Sequence, residues 1–167
     1  MNRSARIPSL RKRIFGAAAV ELALISVPLM LLSVATVDFA RAMFVYDQLA
    51  KAARDGARFL TFFDPTVAGE YPTAVAKSRV LYGTASPGDN PKPIVPGLTS
   101  AMIKICDRID SSACSGENFG PVVTPSGSIN LVQVKIEGYV FTPIFPGISR
   151  LTTITYDPIA ATMRQLF

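Results

Sequence analysis

The stretch that decides the fold is residues 17–37, AAAVELALISVPLMLLSVATV, in which Glu21 is the single charged residue. At about 1.5 Å per residue, a helix of this length spans about 30 Å, the thickness of the hydrocarbon core of a bilayer. The sequence therefore predicts a transmembrane helix, with the lipid bilayer as its surroundings.

The residues before the span form a basic leader, residues 1–16, without an acidic residue. Its cations are Arg3, Arg6, Arg11, Lys12 and Arg13. Clustered cations beside a single span favour a cytoplasmic location for that end. We therefore expect a single-pass protein of the inner (cytoplasmic) membrane, with a C-terminal domain that is periplasmic or extracellular. Because the leader shows no apolar periodicity, we expect it to be extended or disordered.

Glu21 is the residue in the span that needs an explanation, because a carboxylate inside an apolar helix costs free energy unless it is paired. Cleavage of the chain after Gly16 would create an α-amine on Ala17. That amine lies four residues before Glu21 and therefore on the same helical face. The ammonium group would neutralise Glu21 in the same subunit or in a neighbouring one.

A short basic leader that ends in Gly, followed by Glu at the fifth position of an apolar helix, resembles a type IV prepilin. More specifically, GAAAVELAL at 16–24, PL at 28–29, FAR at 39–41 and AARDGAR at 52–58 resemble the TadE-like family of minor pilins, or pseudopilins, of the tight-adherence (Tad/Flp) pilus. Leu22 departs from the Phe that the family often carries there. Both residues are bulky and apolar.

The resemblance implies a set of partners and a role. The partners are a prepilin peptidase, other pilin or pseudopilin subunits, and the inner-membrane platform that assembles the pilus. The role is that of a structural subunit or an assembly factor in pilus biogenesis, secretion and surface adhesion.

Two alternatives compete with this interpretation. The first is a secretory signal cleaved near Ala40-Arg41-Ala42, which is disfavoured because the apolar run exceeds the usual 7 to 15 residues and contains Glu21. The second is an unprocessed single-pass anchor that presents a small binding module outside the cytoplasm.

After Val37 the periodicity continues while the polarity changes, which predicts an amphipathic continuation of the helix over residues 38–63, ended by Asp64-Pro65. Its predicted apolar face is Phe39, Met43, Tyr46, Ala50, Ala53, Ala57 and Leu60. The alanines would admit either the protein's own sheet or a neighbouring helix. Gly56 indicates a close contact or a local break. Pro28 predicts a kink in the span, although membrane helices also tolerate proline.

Residues 64–167 are predicted to form one exported α+β domain, in which the long helix packs on a small antiparallel sheet, as in pilins. A second helix is predicted over 72–83, packing through Ala74, Val75, Val80 and Leu81. Residues 86–97 and 115–128 are expected to be irregular. Strands are predicted over 101–106, 131–141, 150–156 and 160–165. The apolar loop 142–150 would cover the core, or meet a partner or the membrane.

Two features bear on chemistry. Cys106 and Cys114 lie close together in the exported part, which favours a disulfide over two free thiols. The chain has no His and no catalytic or metal-ligand motif, so we expect neither an enzyme nor a bound metal or cofactor. Without the leader, the remaining charges balance at 12 basic and 12 acidic residues. This balance argues against nucleic acid as a partner.

Overall fold

The computed structural model describes residues 11–67, 69–114, 116–125, 127–145 and 153–166, with side chains from residue 16 onward. One long helix, α1, spans Arg11–Leu60. A second helix, α2, spans Thr73–Tyr82, and a 3-10 turn spans Ser100–Met102. The strands are β1 Ile103–Cys106, β2 Val122–Thr124, β3 Gly127–Ile129, β4 Leu131–Ile136, β5 Val140–Phe141, β6 Ile154–Thr155 and β7 Ile159–Arg164. The predicted α+β arrangement is confirmed.

The start of α1 corrects one expectation. Residues 11–16 are helical, whereas the whole leader was expected to be extended or disordered. The physical reason is that a helix already formed by the apolar span extends at little cost into neighbouring residues, since propagation adds one hydrogen bond per residue. Residues 1–10 lie outside the described part of the chain. The helix is continuous across the predicted boundaries at 16/17 and 37/38, so these boundaries stay predictions.

The main sheet is antiparallel with strand order β1-β4-β7. β4 pairs along its whole length with β7, from Leu131 opposite Arg164 to Ile136 opposite Ile159. β5 pairs with β6 in a separate two-stranded ribbon. The predicted pairing between 131–141 and the closing strands is therefore confirmed. Residues 146–152, which include much of the predicted apolar loop and the start of the predicted strand 150–156, lie outside the described residues.

Two hydrogen bonds show how the sheet lies along α1. Near the end of the helix, the backbone N–H of Leu166 donates to the carbonyl of Thr61. Closer to the span, the Tyr156 hydroxyl donates to the carbonyl of Ala42 at 2.6 Å. The end of the domain near Thr61 is thus its distal end, and the end near Asp38 is its proximal end, about 35 Å apart along the helix.

The core lies between α1, α2 and one face of the sheet. The inward face of β4 is Val132, Val134 and Ile136, all buried as the alternation predicted. From α1 the core takes Leu49, Ala52, Ala53, Ala57 and Leu60. The alanine face therefore packs within the subunit. Gly56 makes the predicted close contact, since a Cβ there would meet the Val80 side chain of α2 closer than real Cβ atoms come.

The prediction of the apolar helix face is wrong in its proximal part. Phe39, Met43 and Tyr46 are exposed, and the buried positions are Asp38 and Ala42, one residue earlier. α1 carries two apolar stripes in this region, and spacing alone does not choose between them. The small Ala42 lets the sheet approach its carbonyl, whereas the bulky stripe would hold the sheet away.

Local irregularities account for the remaining corrections. The strand predicted over 131–141 divides because Gly138 adopts a left-handed conformation, φ 72°, which turns the chain out of β4. The region 115–128 was expected to be irregular, yet its β-branched residues form the hairpin β2–β3. α1 ends at Leu60, three residues before the predicted end, and the Thr61 hydroxyl donates to the Arg58 carbonyl at 2.7 Å.

The predicted second helix is confirmed, although its buried face is only partly as expected. Val80 and Leu81 are buried as predicted, but Ala76 replaces Ala74, which is exposed. The chain from 86 to 97 contains no helix or strand, as expected.

Candidate processing and assembly site

The candidate site is the N-terminal half of α1, which projects from the folded domain. Within the described residues, one helix is long and apolar enough to cross a membrane, and none of its most apolar window is buried. Side chains are exposed on every side from residue 16 to residue 33. An apolar helix that is exposed all round is stable only where lipid or other apolar helices surround it.

The hydroxyl side chains in this segment are satisfied within the helix. Ser26, Ser33 and Thr36 each donate to a backbone carbonyl three or four residues earlier, at 3.0, 2.9 and 2.8 Å respectively. In a bilayer, polar groups must find partners inside the protein because the lipid chains offer none. The segment therefore presents an almost wholly apolar surface, apart from Glu21.

The structure places the predicted processing residues within α1. Gly16 lies on a helical turn, and a Cβ built there would meet no heavy atom within 4 Å among the described residues. Ala17 and Glu21 are exposed and lie one helical turn apart on the same face. Cleavage at Gly16 and pairing of Glu21 with the Ala17 amine stay predictions.

Pro28 lies inside the unbroken helix. Its ring removes one backbone N–H and leaves the carbonyl four residues earlier, on Leu24, without its usual helical donor. The kink at Pro28 stays a prediction.

Asp38, the first residue after the span, is a structural residue that sequence reasoning missed. It is only 1% exposed. Its carboxylate accepts the backbone N–H of Ile144 at 3.0 Å and that of Phe145 at 3.4 Å. We name residues 142–145, held in this way, the clasped loop. The signal in the sequence was an aspartate on the same helical stripe as Ala42 and Leu49, where burial demands a hydrogen-bonding partner.

Arg41 lies next to this clasp on α1. Its guanidinium is 3.7 Å from the Asp38 carboxylate and 5.5 Å from the ring centre of Phe141. The side chain remains almost half exposed. Arg41 thus partly neutralises Asp38 and covers the aromatic ring at the start of the clasped loop.

The distal end of the domain holds the disulfide. Cys106 and Cys114 are bonded, with 6.2 Å between their Cα atoms, and both pack with buried Phe119. The predicted bridge is confirmed. The next residue, Asp107, is buried and accepts the N–H groups of Ile109 and Asp110 at 2.8 and 3.0 Å.

Tyr71 is the titratable group most altered by this environment. Burial, followed by the nearby Asp107 carboxylate, raises the pKa of Tyr71 well above its usual value. Its hydroxyl has no partner in hydrogen-bonding geometry within the described residues. The environment therefore holds this phenol neutral, which is a structural rather than a catalytic property.

The side chains offer no evident metal centre. No group of three or more His, Cys, Asp or Glu residues that would hold a metal ion occurs in the part of the chain that the structure describes.

The fold and this exposed helix define a class of protein: an α+β protein with one membrane-length N-terminal helix, as in single-pass membrane proteins. The family model described as TadE-like protein matches residues 16–58. This segment of the chain is therefore TadE-like, which confirms the resemblance seen in its four sequence blocks and suggests involvement in the Tad pilus. Comparisons with curated proteins and with solved structures found no match.

Proposed function

We propose that the chain is a prepilin-like structural subunit or assembly factor of a Tad-type pilus, cleaved after Gly16, with a role in pilus biogenesis and surface adherence. The observation that carries the proposal is the extent of the family match. The match begins at Gly16 and ends at Arg58, so it covers the proposed mature start, the span and most of the amphipathic continuation of the helix. The role is structural rather than catalytic.

Cleavage creates the group that Glu21 needs. A charged residue in the middle of a membrane helix costs about 2.5–3.5 kcal/mol on insertion scales, and less near the edge. Glu21 is the fifth residue of the proposed mature chain, about 6 Å along the helix from Ala17. The new ammonium on Ala17 neutralises it within the subunit, or neutralises the Glu21 of a neighbouring subunit during assembly.

The helical start of α1 affects how a peptidase would reach the cleavage site. A peptidase binds an extended backbone, so residues around Gly16 must leave the helix first. Gly at an interior helix position is less stable than Ala by about 1 kcal/mol. Gly16 therefore lowers the cost of local unwinding and leaves room in a narrow active site.

The exposed span provides the driving force for assembly. Before cleavage, the leader holds the N-terminus in the cytoplasm. After cleavage, residues 17–37 exchange lipid contacts for contacts with other pilin helices and with the assembly platform. Retention of the span is supported by Ala42, which is buried and has its carbonyl bound by Tyr156. A secretory cut near Ala42 would remove Asp38, whose carboxylate accepts the backbone N–H of Ile144.

Two variants test the proposal. Gly16→Ala should block cleavage without altering the fold, because its Cβ has open space. Gly88→Ala is the matched control, since Gly88 also has open space around it and lies in the exported domain. Glu21→Ala should be cleaved normally but should fail to assemble into pili.

The readouts are the mass of the membrane-extracted chain and the recovery of the chain in sheared surface pili or with the assembly platform. Cleaved Gly16→Ala would contradict the processing step. Normal assembly of Glu21→Ala would contradict the pairing. If wild type and both variants all keep the leader, the chain is an unprocessed anchor that presents a small domain.

A further inference from the structure

We infer that the clasped loop, residues 142–145, is a second membrane contact, in which Ile144 enters the lipid interface beside the span. The inference rests on the span lying in a bilayer, and it depends neither on cleavage nor on pilus assembly. The proposed occupant of this surface is the headgroup and upper acyl region of the bilayer.

The first argument is the position of the loop. Its backbone is fixed to Asp38, which directly follows Val37, the last residue of the predicted span. Side chains on a helix lean toward its N-terminus, here toward the membrane. The N–H of Ile144, 3.0 Å from the Asp38 carboxylate, therefore lies close to the level where α1 leaves the hydrocarbon. The interfacial layer extends only about 5–7 Å beyond that level.

The second argument is the chemistry of the exposed side chains at this level. Ile144 is 53% exposed although it belongs to the folded domain. On α1, Phe39, Met43 and Phe44 are also exposed within the first two turns beyond Val37. These side chains continue the apolar surface of the span directly, and Arg41 among them offers a cation at the height of lipid phosphates.

The third argument is the construction of the clasp. Asp38 is almost fully buried, yet its carboxylate accepts hydrogen bonds from the backbone of an exposed apolar loop rather than from a core group. An exposed loop in water gains little from such a tether. A loop that must keep its apolar side chains against the bilayer gains a fixed height and orientation.

The chain has no tryptophan, so a single introduced Trp reports its own surroundings. We would place Ile144→Trp in the full-length chain, reconstituted in phosphatidylcholine vesicles whose acyl chains carry bromine near the headgroup. Leu32→Trp, on the exposed face of the span, is the positive control. Leu166→Trp is the negative control, because Leu166 is 65% exposed but its backbone is bonded to Thr61 at the distal end.

The expected result is strong quenching of Leu32→Trp, quenching of Ile144→Trp at least half as strong, and none of Leu166→Trp. If Leu32→Trp is quenched and Ile144→Trp is not, the loop contact is wrong while the membrane span stands. The same conclusion holds if the emission of Ile144→Trp is blue-shifted without quenching, because a second protein chain then covers the loop. No quenching of Leu32→Trp overturns the membrane span itself. Phe145→Trp repeats the test if Ile144→Trp lacks the circular dichroism spectrum of the wild type.

Discussion

Replacing Asp38 by alanine tests the link between the span and the folded domain. The substitution removes the acceptor for the N–H groups of Ile144 and Phe145. A hydrogen bond to a charged group contributes about 1.5–3 kcal/mol. The bond to Ile144 has ordinary length, while that to Phe145, at 3.4 Å, is long and contributes less. Because the freed N–H groups are able to bind water at an exposed loop, we expect a net loss of about 2 kcal/mol.

Amide hydrogen exchange measures this loss at the bonds concerned. A loss of about 2 kcal/mol corresponds to about 30-fold faster exchange in the peptide that covers the clasped loop. Asp38→Asn keeps one neutral acceptor oxygen and should give an intermediate increase. The matched control is Asp47→Ala on the same helix, which breaks only an exposed pair with Lys51 and should change stability by about 0.5 kcal/mol or less.

The reasoning fails if exchange in the clasped loop is the same in Asp38→Ala as in Asp47→Ala. It also fails if Asp38→Ala accelerates exchange equally over the whole domain, because the clasp is then a general stabiliser and does not hold this loop.

Three further predictions concern the exported domain, each measured by urea unfolding of the full chain in detergent. Gly56→Ala should lower the free energy of unfolding by about 1–2 kcal/mol, since the clash with Val80 exceeds the gain in helix propensity. In a Val80→Ala background the same change should be neutral or stabilising, and an equal loss in both backgrounds would contradict the contact. Reduction of the Cys106–Cys114 bridge should lower the free energy of unfolding by about 2.5 kcal/mol, and an unchanged midpoint would show that the bridge does not constrain the unfolded chain. Burial raises the pKa of Tyr71, so the stability that the neutral phenol contributes is complete below about pH 10 and is lost as the pH rises toward the pKa of the folded state. Tyr71→Phe should therefore reduce the fall in the free energy of unfolding above pH 10. An identical fall in wild type and variant would refute this role.

The sequence predicted those parts of the fold that a local pattern determines. The length and apolarity of 17–37 give the exposed helix, and Gly83, in its left-handed conformation, ends α2 where expected. Alternation in β4 identified its buried face because period 2 admits only two choices. The disulfide followed from two cysteines that are close in a short loop.

Other features depend on contacts between segments that are distant in sequence. Asp38 was not recognised because its partners lie more than 100 residues away. Phe39 was assigned to the core because it is apolar, while the sheet selected the stripe containing Ala42. The bond between Asp38 and Ile144 and the bond between the Tyr156 hydroxyl and the Ala42 carbonyl select this stripe. The roles proposed for Gly16, Ala17 and Glu21 involve a peptidase and other subunits, so the fold of one chain does not determine them.

The N-terminal mass of the chain recovered from its native membrane tests the central claim most directly. Our account predicts a polypeptide that starts at Ala17 and has lost the mass of residues 1–16. A chain that starts at residue 1 or 2 would contradict the account, because the amine that neutralises Glu21 would not exist. A start near Met43 would contradict it as well, since it would identify the span as a removed secretory signal.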